Sequence, residues 1–320
     1  MMRRYLAAAL TLALVTGSAA QAQTYPSRPV RLVVPFAPGG SADLLARLMG
    51  LRLTEVLGQP FVVENRPGAG ATLGSQYVAA AAPDGYTLIA SNAASHGTAP
   101  AMRAVPYDPA TDFTHIGLIG TIAQYLVVNP ETPAATLADF VAHVRANPGH
   151  LNLGTAGNGS IGHFAGALFM NRANLDMVVV PYSGTAPATQ DLIAGRVQAV
   201  FQNAPEAASL IRAGRLRLLA VTAEQREKDF PDTPTFQESG YPGFVNYTWY
   251  GISGPKGTPD AVVQRLNAAM LRILSEPTMR ERFHGLGVNP GELSSAQYAA
   301  FVAAEASKFR QLAEQTGIRE

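Results

Sequence analysis

Cysteine is absent from this chain of 320 residues. Its absence excludes disulfide bonds and metal sites that are built on thiolates. The six histidines do not show a metal-ligand spacing such as H-E-x-x-H. We therefore expect neither a bound metal ion nor a cofactor.

Charge is also scarce, and it is balanced. Charged residues make up 15% of the chain, and 24 Lys and Arg against 23 Asp and Glu leave a formal net charge of +1. Because there is no extended basic patch and no long run of like charges, the sequence argues against a nucleic-acid partner and against a charged disordered tail. A Walker-type Gly-Lys-Ser/Thr sequence is missing as well.

The N-terminus has the three parts of a secretory signal peptide. Arg3 and Arg4 form a short basic region, residues 6–15 form an apolar run, and small residues precede a predicted cleavage after Ala22. The run is about ten residues long, whereas a transmembrane helix needs about 20. We expect that residues 1–22 are removed and that the mature protein is periplasmic, with no later membrane-spanning segment.

Short apolar segments alternate with helical patterns along the mature chain, which predicts an α/β fold with a mainly parallel sheet. The predicted strands are residues 30–34, 61–63, 87–90, 115–120, 125–128, 151–153, 177–180, 199–202, 216–221 and 250–252. Two crossings, near residues 120–125 and 220–223, would divide the chain into two lobes. The discontinuous first lobe is predicted to comprise residues 23–121 plus 223–320, and the inserted second lobe residues 122–222.

Capping signals predict the start of three helices. Thr136 and Asp139 resemble a capping box. Thr258 is predicted to cap a second helix that has Pro259 as its first residue. A third helix is expected from about Ser295, with these side chains facing inward: Tyr298, Phe301, Val302, Phe309 and Leu312.

Two glycine-rich turns are the most informative feature of the sequence. Residues 36–43 read FAPGGSAD and residues 154–160 read GTAGNGS, and each turn follows a predicted strand and precedes a predicted helix. Neither turn contains Lys or Arg. Because backbone N–H groups at a helix N-terminus attract anions, the two turns predict a pair of facing anion-binding loops in a binding protein.

Other interpretations of these turns stay open. Asp43 is either a favourable carboxylate at a helix N-terminus or a contact to a ligand amine, hydroxyl or water. Residues 158–162 resemble a nucleophile elbow, but Asn158 stands where that motif requires glycine. An exported hydrolase that uses Ser160 or Ser41 is therefore an alternative, and it predicts a histidine–acid pair near that serine.

A set of short motifs resembles the Bug-type receptors, which are the extracytoplasmic solute receptors of tripartite tricarboxylate transporters. The motifs are YPSRPV at residues 25–30, PFAPGGSAD at 35–43, VENRPGAG at 63–70 and PDGYTL at 83–88. They continue as GTAGNGSIGH at residues 154–163, PYSG at 181–184, LAVT at 219–222, PDTPT at 231–235 and GYPG at 240–243. The resemblance covers essentially the whole mature chain.

This resemblance implies a two-lobed type II periplasmic-binding-protein fold with the ligand cleft between the lobes. It also implies a ligand carboxylate that is held by backbone N–H groups and ordered waters from the two turns. The residues implied on the first lobe are Phe36, Gly39, Gly40, Ser41 and Asp43. Those implied on the second lobe are Thr155, Asn158, Gly159 and Ser160, and Ser91, Asn203 and the turn from Tyr182 to Gly184 are further candidates.

The implied function is that of a monomeric receptor without enzymatic activity. It would capture a small carboxylate or amino-acid-like ligand and deliver it to the membrane permease subunits of a tripartite tricarboxylate transporter. The second alternative is a ligand-sensing subunit that hands its closed form to a signalling partner. Both would use the same cleft.

Overall fold

The computed structural model describes residues 25–318, so the predicted signal peptide and its cleavage site lie outside the described residues. Within them the fold is α/β, as predicted. The strands are β1 (Val30–Val34), β2 (Phe61–Asn65), β3 (Thr87–Asn92), β4 (Phe113–Val128), β5 (Asn152–Thr155), β6 (Val178–Pro181), β7 (Ala199–Asn203), β8 (Arg217–Val221), β9 (Tyr247–Pro255) and β10 (Asn289–Pro290).

The helices follow the strands in the way that βα units require. They are α1 (Ser41–Leu57), α2 (Thr72–Ala79), α3 (Ala99–Met102), α4 (Leu137–Ala146), α5 (Ile161–Ala173), α6 (Thr185–Ile193), α7 (Ala204–Arg212), α8 (Asp260–Ser275), α9 (Pro277–Gly285) and α10 (Ser295–Thr316). Across residues 25–318, no helix combines the length and hydropathy needed to cross a membrane.

The strands form one sheet in the order β2-β1-β3-β9-β4-β7-β5-β6, and β8 and β10 also pair with β4. Strand β1 pairs in parallel with β2 and β3, and β5 pairs in parallel with β6 and β7. The pairings of β4 and β9 are antiparallel. The prediction of a mainly parallel sheet is therefore correct for the outer strands and wrong for the centre, where β4 and β9 run in opposite directions.

Strand β4 joins two halves of the molecule. It pairs with β9 through residues 113–123 and with β7 and β8 through residues 124–128. We call β1–β3, β9, β10 and their helices the first half, and β5–β8 with α4–α7 the second half. The two strands predicted at 115–120 and 125–128 are this one strand, because no turn-forming sequence interrupts the apolar run between them.

A separate hydrophobic core fills the second half. Phe236 and Phe244, from the loop between β8 and β9, stack with ring centroids 4.2 Å apart and pack near Phe169 and Phe201. This loop follows residue 222 and yet contributes side chains to the core of the second half. The lobe limits given above stay a prediction.

The C-terminal helix contacts both halves. Phe309 of α10 meets Phe164 of α5 edge to face, with ring centroids 5.2 Å apart, and both side chains are fully buried. Helix α10 has the predicted start and buries every predicted residue except Phe301, which is partly buried. Helix α10 thus connects α5, the helix that follows the second glycine-rich turn, to the first half.

The helix starts follow the predicted chemistry with one exception. Thr136 and Asp139 form the expected capping box of α4. The prediction for α8 is wrong, because Pro259 itself occupies the N-cap position with an extended backbone. The Thr258 hydroxyl instead donates to the carbonyl oxygen of Pro255, at 2.7 Å.

Candidate functional site

A cavity of about 720 Å³ lies between the two glycine-rich turns, with walls from both halves. Its volume falls within the range of small-molecule binding pockets. The predicted residues that line it are Phe36, Gly40, Ser41, Asn158, Gly159, Ser160, Gly184 and Asn203. The structure therefore brings residues of both turns to the wall of one cavity.

Four helices begin at this cavity. The residues that precede α1, α5, α6 and α7 are Gly40, Ser160, Gly184 and Asn203, and all of them line the walls. The first backbone N–H groups of a helix have no partner inside the helix, and they carry the positive end of its dipole. The arrangement makes the cavity favourable for an anion without any Lys or Arg in the two turns.

Asp43 braces the first turn from behind and does not line the cavity. Its carboxylate accepts hydrogen bonds from Gly39 N at 3.0 Å, from Arg47 Nε at 3.0 Å and from Asn65 Nδ2 at 2.9 Å. The hydrogen bond from Arg47, with those from Gly39 and Asn65, lowers the pKa of Asp43 to about 2 against the opposing effect of burial. The Gly39 amide is used by this brace, so neither Asp43 nor Gly39 is placed at the cavity wall.

Three further predicted residues also lie away from the cavity wall. Ser91 is fully buried, and its hydroxyl lies 2.9 Å from Tyr298 OH and 3.0 Å from Ser253 Oγ. Thr155, the last residue of β5, is fully buried. Tyr182 donates its hydroxyl to Asp191 at 2.8 Å and so faces α6.

Several cavity residues were not singled out as site residues from the sequence. The polar ones are Asn92, Thr98, Arg103, Gln124, Thr185, Gln202, Glu206, Thr248 and Tyr250. Asn92 is the last residue of β3, and Gln202 is the next-to-last residue of β7. Gln124 is a polar residue inside an apolar strand, and this pattern could have identified it as a candidate site residue. The sequence around Arg103 and Glu206 shows no such pattern.

Three buried polar atoms on the cavity residues have no hydrogen-bond partner within residues 25–318. They are Asn92 Nδ2, Gln124 Oε1 and Gln202 Oε1. A buried polar group without a partner is costly, so such atoms are expected to bind a ligand or ordered water.

Two charged side chains line the cavity. The guanidinium of Arg103 donates to the carbonyl oxygen of Ala69, in the loop before α2. Desolvation in the cleft raises the pKa of the Glu206 carboxyl, although hydrogen bonds from the Asn203 side chain, Thr185 and the Asn203 backbone act in the opposite direction. The two formal charges balance, so the wall itself is close to neutral.

The serine environment does not match a hydrolase. The Ser160 hydroxyl accepts from His163 N at 3.2 Å, and the ring Nδ1 of His163 accepts from Gly159 N at 3.1 Å. The histidine ring therefore faces loop backbone and not a serine. No hydrogen bond links a histidine to Ser41 or a carboxylate to His163 in the part of the chain that the structure describes, so the histidine–acid pair that a hydrolase predicts is not found there.

Residues 45–318 match the TctC family, whose description is "Tripartite tricarboxylate transporter family receptor". BugT of Bordetella pertussis is 35% identical over 300 residues, which cover 93% of this chain and 92% of BugT. A Pseudomonas protein named for the tcbD-tcbE intergenic region is 38% identical over 289 residues, which cover 89% of this chain and 86% of that protein.

Solved structures show the same relationship. An R. palustris protein solved with adipate has a TM-score of 0.82 and 36% identity, covering 92% of this chain and 99% of its own. MatC from Rhodopseudomonas palustris with bound malate has a TM-score of 0.77 and 36% identity, covering 90% and 99%. The periplasmic binding protein BugD has a TM-score of 0.77 and 34% identity, covering 92% and 99%. These similarities confirm the predicted type II periplasmic-binding-protein fold, and the chain belongs to the family of tripartite tricarboxylate transporter receptors.

Proposed function

We propose that this protein is a periplasmic receptor that binds a small carboxylated solute in the cavity and delivers it to the membrane subunits of a tripartite transporter. The observation that carries the proposal is the convergence of four helix N-termini on a cavity between the two halves. Two relatives solved with adipate and with malate support the carboxylate class.

The strength of binding follows from the donors. A hydrogen bond to a charged acceptor contributes roughly 1.5–3 kcal/mol. Backbone amides from the first turns of α1 and α5 are the proposed donors to the ligand carboxylate. Several such bonds, less the costs of ordering and desolvation, support a dissociation constant on the order of micromolar, which corresponds to about −8 kcal/mol.

Closure of the two halves is part of the proposal. The chain passes between the halves along β4, near residues 123 and 124, and we place the hinge at the predicted crossings near 120–125 and 220–223. The ligand favours the closed form because only that form brings both turns into contact with it. Met102 already packs against Gly159, since a Cβ added there would lie 1.9 Å from its Sδ.

The receptor is proposed to act as a monomer and without catalysis. Ser160 caps α5 and the His163 ring contacts loop backbone, and both observations support the absence of catalysis. A ligand-sensing role would use the same cavity and differ only in the partner that recognises the closed form.

The variant Gly40→Val tests the proposed binding site. Gly40 lines the cavity, its φ of −86° suits any residue, and an added Cβ would meet no heavy atom within 4 Å. Gly40 is the N-cap of α1 and valine caps a helix less well, so we expect the unliganded variant to stay folded with a loss of about 1 kcal/mol in stability. Binding of adipate or malate should be lost because the valine side chain fills the space beside the α1 amides. At a ligand concentration a hundred times the dissociation constant, the wild type should gain about 2.7 kcal/mol.

The matched control is Gly285→Val, at the exposed end of α9, where an added Cβ also meets nothing. Thermal shift and isothermal titration calorimetry with a carboxylate library measure both variants. Wild-type binding of Gly40→Val, or the failure of every carboxylate to bind the wild type, contradicts the proposal.

A further inference from the structure

We propose that His96 and His115 form an acid-sensitive pair behind one wall of the cavity, and that protonation of this pair displaces the wall. The wall is residues 92–103, and we call it the 92–103 wall. Only the consequence for ligand binding rests on the proposed function, because the position of the wall can be followed without a ligand.

The 92–103 wall runs from the end of β3 through a π-helical turn, Ala94–Thr98, to the residue after α3. Such turns are rare and are frequent at functional sites. The side of this segment that faces the cavity consists of Asn92, Ala94, Thr98, Ala99, Met102 and Arg103. Since Met102 also packs against Gly159 of the second half, a displacement of the wall changes both the cavity and a contact between the halves.

His96 lies in the π-helical turn, is fully buried and does not line the cavity. Its ring centroid is 4.5 Å from that of Phe113, 5.9 Å from that of His115 and 6.4 Å from that of Trp249. Its Nδ1 lies 2.8 Å from Ser95 Oγ, and its Nε2 has no hydrogen-bond partner within residues 25–318. A proton on this ring would place a charge among apolar rings, which is costly.

His115 of β4 is the second buried ring. Its Nδ1 lies 2.9 Å from Ser253 Oγ, and its ring centroid is 5.7 Å from that of Tyr298. Burial lowers the pKa of His115 to about 4, against the opposing effect of the Pro109 carbonyl. Burial and the neighbouring His115 lower the pKa of His96 well below its ordinary value. Both rings are therefore neutral at pH 7.

Carboxylates on the surrounding elements are engaged elsewhere. Asp108 and Asp112, in the loop before β4, accept hydrogen bonds from backbone amides of their own loop. On α10, Glu305 forms an ion pair with Lys308. Within residues 25–318, neither ring of the pair forms an ion pair with a carboxylate.

The other titratable groups beside the pair do not favour its protonation. Burial raises the pKa of the Tyr107 and Tyr298 hydroxyls, so both stay neutral. The Arg103 cation acts on Tyr107 from the same side of the molecule. A positive charge on either histidine would thus meet neutral hydroxyls, a second histidine and this cation.

The effect of pH follows from the difference between the buried and the solvated rings. In the displaced wall the rings regain an ordinary pKa of 6.5. The displaced position therefore binds protons first, so the stabilisation of the wall is complete above pH 6.5 and is lost as the pH falls, through about 4 for His115. Between pH 7.5 and pH 5, His115 alone shifts the equilibrium towards the displaced wall about thirtyfold. Because the wall lines the cavity, protonation and ligand binding oppose each other.

Hydrogen–deuterium exchange of the mature protein at pH 7.5 and pH 5, corrected for the pH dependence of intrinsic exchange, tests this inference. We expect the opening equilibrium of amides in residues 94–102 to rise at least about thirtyfold at pH 5, while that of α4 in the second half changes less than about threefold. In His96→Gln and in His115→Gln the rise should be at least about tenfold smaller than in the wild type. The control variant is His150→Gln, at an exposed position before β5, and it should behave as the wild type.

Three results overturn the inference: no rise in residues 94–102, an equal rise in α4, or a full wild-type rise in both histidine variants. If a variant fails to fold, NMR titration of the wild-type rings decides, because the inference requires that both histidines of the folded protein resist protonation down to pH 5.

The link to ligand binding is measured in the same way with saturating adipate or malate. A bound ligand should reduce the opening of residues 94–102 at pH 5 at least about tenfold, because it holds the wall in place. A ligand that binds without this protection overturns the link. If neither compound binds at pH 7.5, the result counts against the proposed function, and the exchange of the unliganded protein still decides the inference.

Discussion

At the scale of single residues, the site depends on side chains that hold the turns in place without contacting the cavity. Asp43 is the clearest case, because its carboxylate accepts three hydrogen bonds from the loop, from α1 and from β2. Only 5% of Asp43 is exposed. Its hydrogen bonds to the Gly39 amide and to Arg47 fit a carboxylate at a helix N-terminus, which is one of its two interpretations from the sequence.

The variant Asp43→Ala should lower the free energy of unfolding by about 1–3 kcal/mol, because the Gly39 amide and one N–H of the Asn65 side chain lose their acceptor. Carboxylate affinity should fall as the first turn loses its brace. Chemical denaturation at pH 7 measures the stability, with Asp84→Ala, in the exposed ion pair with Arg28, as the control. A stability loss in Asp43→Ala no larger than in that control contradicts this role.

The difference in free energy of unfolding between the wild type and Asp43→Ala should change with pH in one direction only. The pKa of Asp43 is about 2 in the folded protein and 3.8 as its ordinary value. The unfolded chain therefore binds the proton first as the pH falls, so the contribution of the charged form is complete above pH 3.8 and is lost as the pH falls through about 2. The difference in free energy of unfolding between the wild type and Asp43→Ala should therefore become smaller only below pH 3.8.

Residue types in the two turns could be predicted, whereas the direction of individual side chains could not. A glycine-rich turn between a strand and a helix is set by local backbone chemistry. Ser91 and Asn92 are both polar and adjacent, and only Asn92 reaches the cavity, because successive residues of a strand point to opposite faces. The packing of β3 against β9 and α10 decides which face of β3 meets the cavity. Both partners lie far from β3 along the chain, so the sequence near β3 does not reveal this face.

At the scale of elements, the helix N-termini form the proposed binding site, and α5 offers the sharpest test. Ser160 caps α5 through its Oγ, which accepts from His163 N. Ser160→Asn and Ser160→Asp both keep a good N-cap, so their free energies of unfolding should lie within about 1 kcal/mol of the wild type. Only the aspartate brings a negative charge into the cavity, and adipate should bind it at least about tenfold more weakly than it binds the asparagine variant, because like charges repel at short range.

The control replaces a cap outside the cavity. Thr136→Asp at the start of α4 makes the same chemical change in a helix that does not line the cavity. Isothermal titration calorimetry with adipate compares the three variants. Equal affinity in Ser160→Asp and Ser160→Asn would show that the α5 terminus does not contact the carboxylate.

The existence of most elements could be predicted because periodicity and caps are local signals. The pairing at the centre of the sheet could not, since β4 reads as two apolar segments and its partners β7, β8 and β9 lie about a hundred residues further along the chain. The same long-range pairing brings Gln124 beside Asn203. Gln124 was missed as a cavity residue for this reason.

At the scale of the whole molecule, the cavity lies where two halves meet along a continuous strand. Strand β4 spans both halves, and α10 of the first half packs on α5 of the second through Phe309 and Phe164. These connections hold α5 in place, and its N-terminus and the turn at residues 36–43 both line the cavity. A ligand that contacts both turns therefore links the two halves, which is the physical basis of the proposed closure.

The most direct test is a crystal structure of the mature protein with the carboxylate that binds it most tightly. The account predicts that oxygens of one carboxylate lie within hydrogen-bond distance, about 2.7–3.2 Å, of backbone nitrogens or turn-bound waters from both residues 40–43 and residues 158–162. A carboxylate held only by the Arg103 guanidinium, or bound outside the cavity with both turns uncontacted, would contradict it.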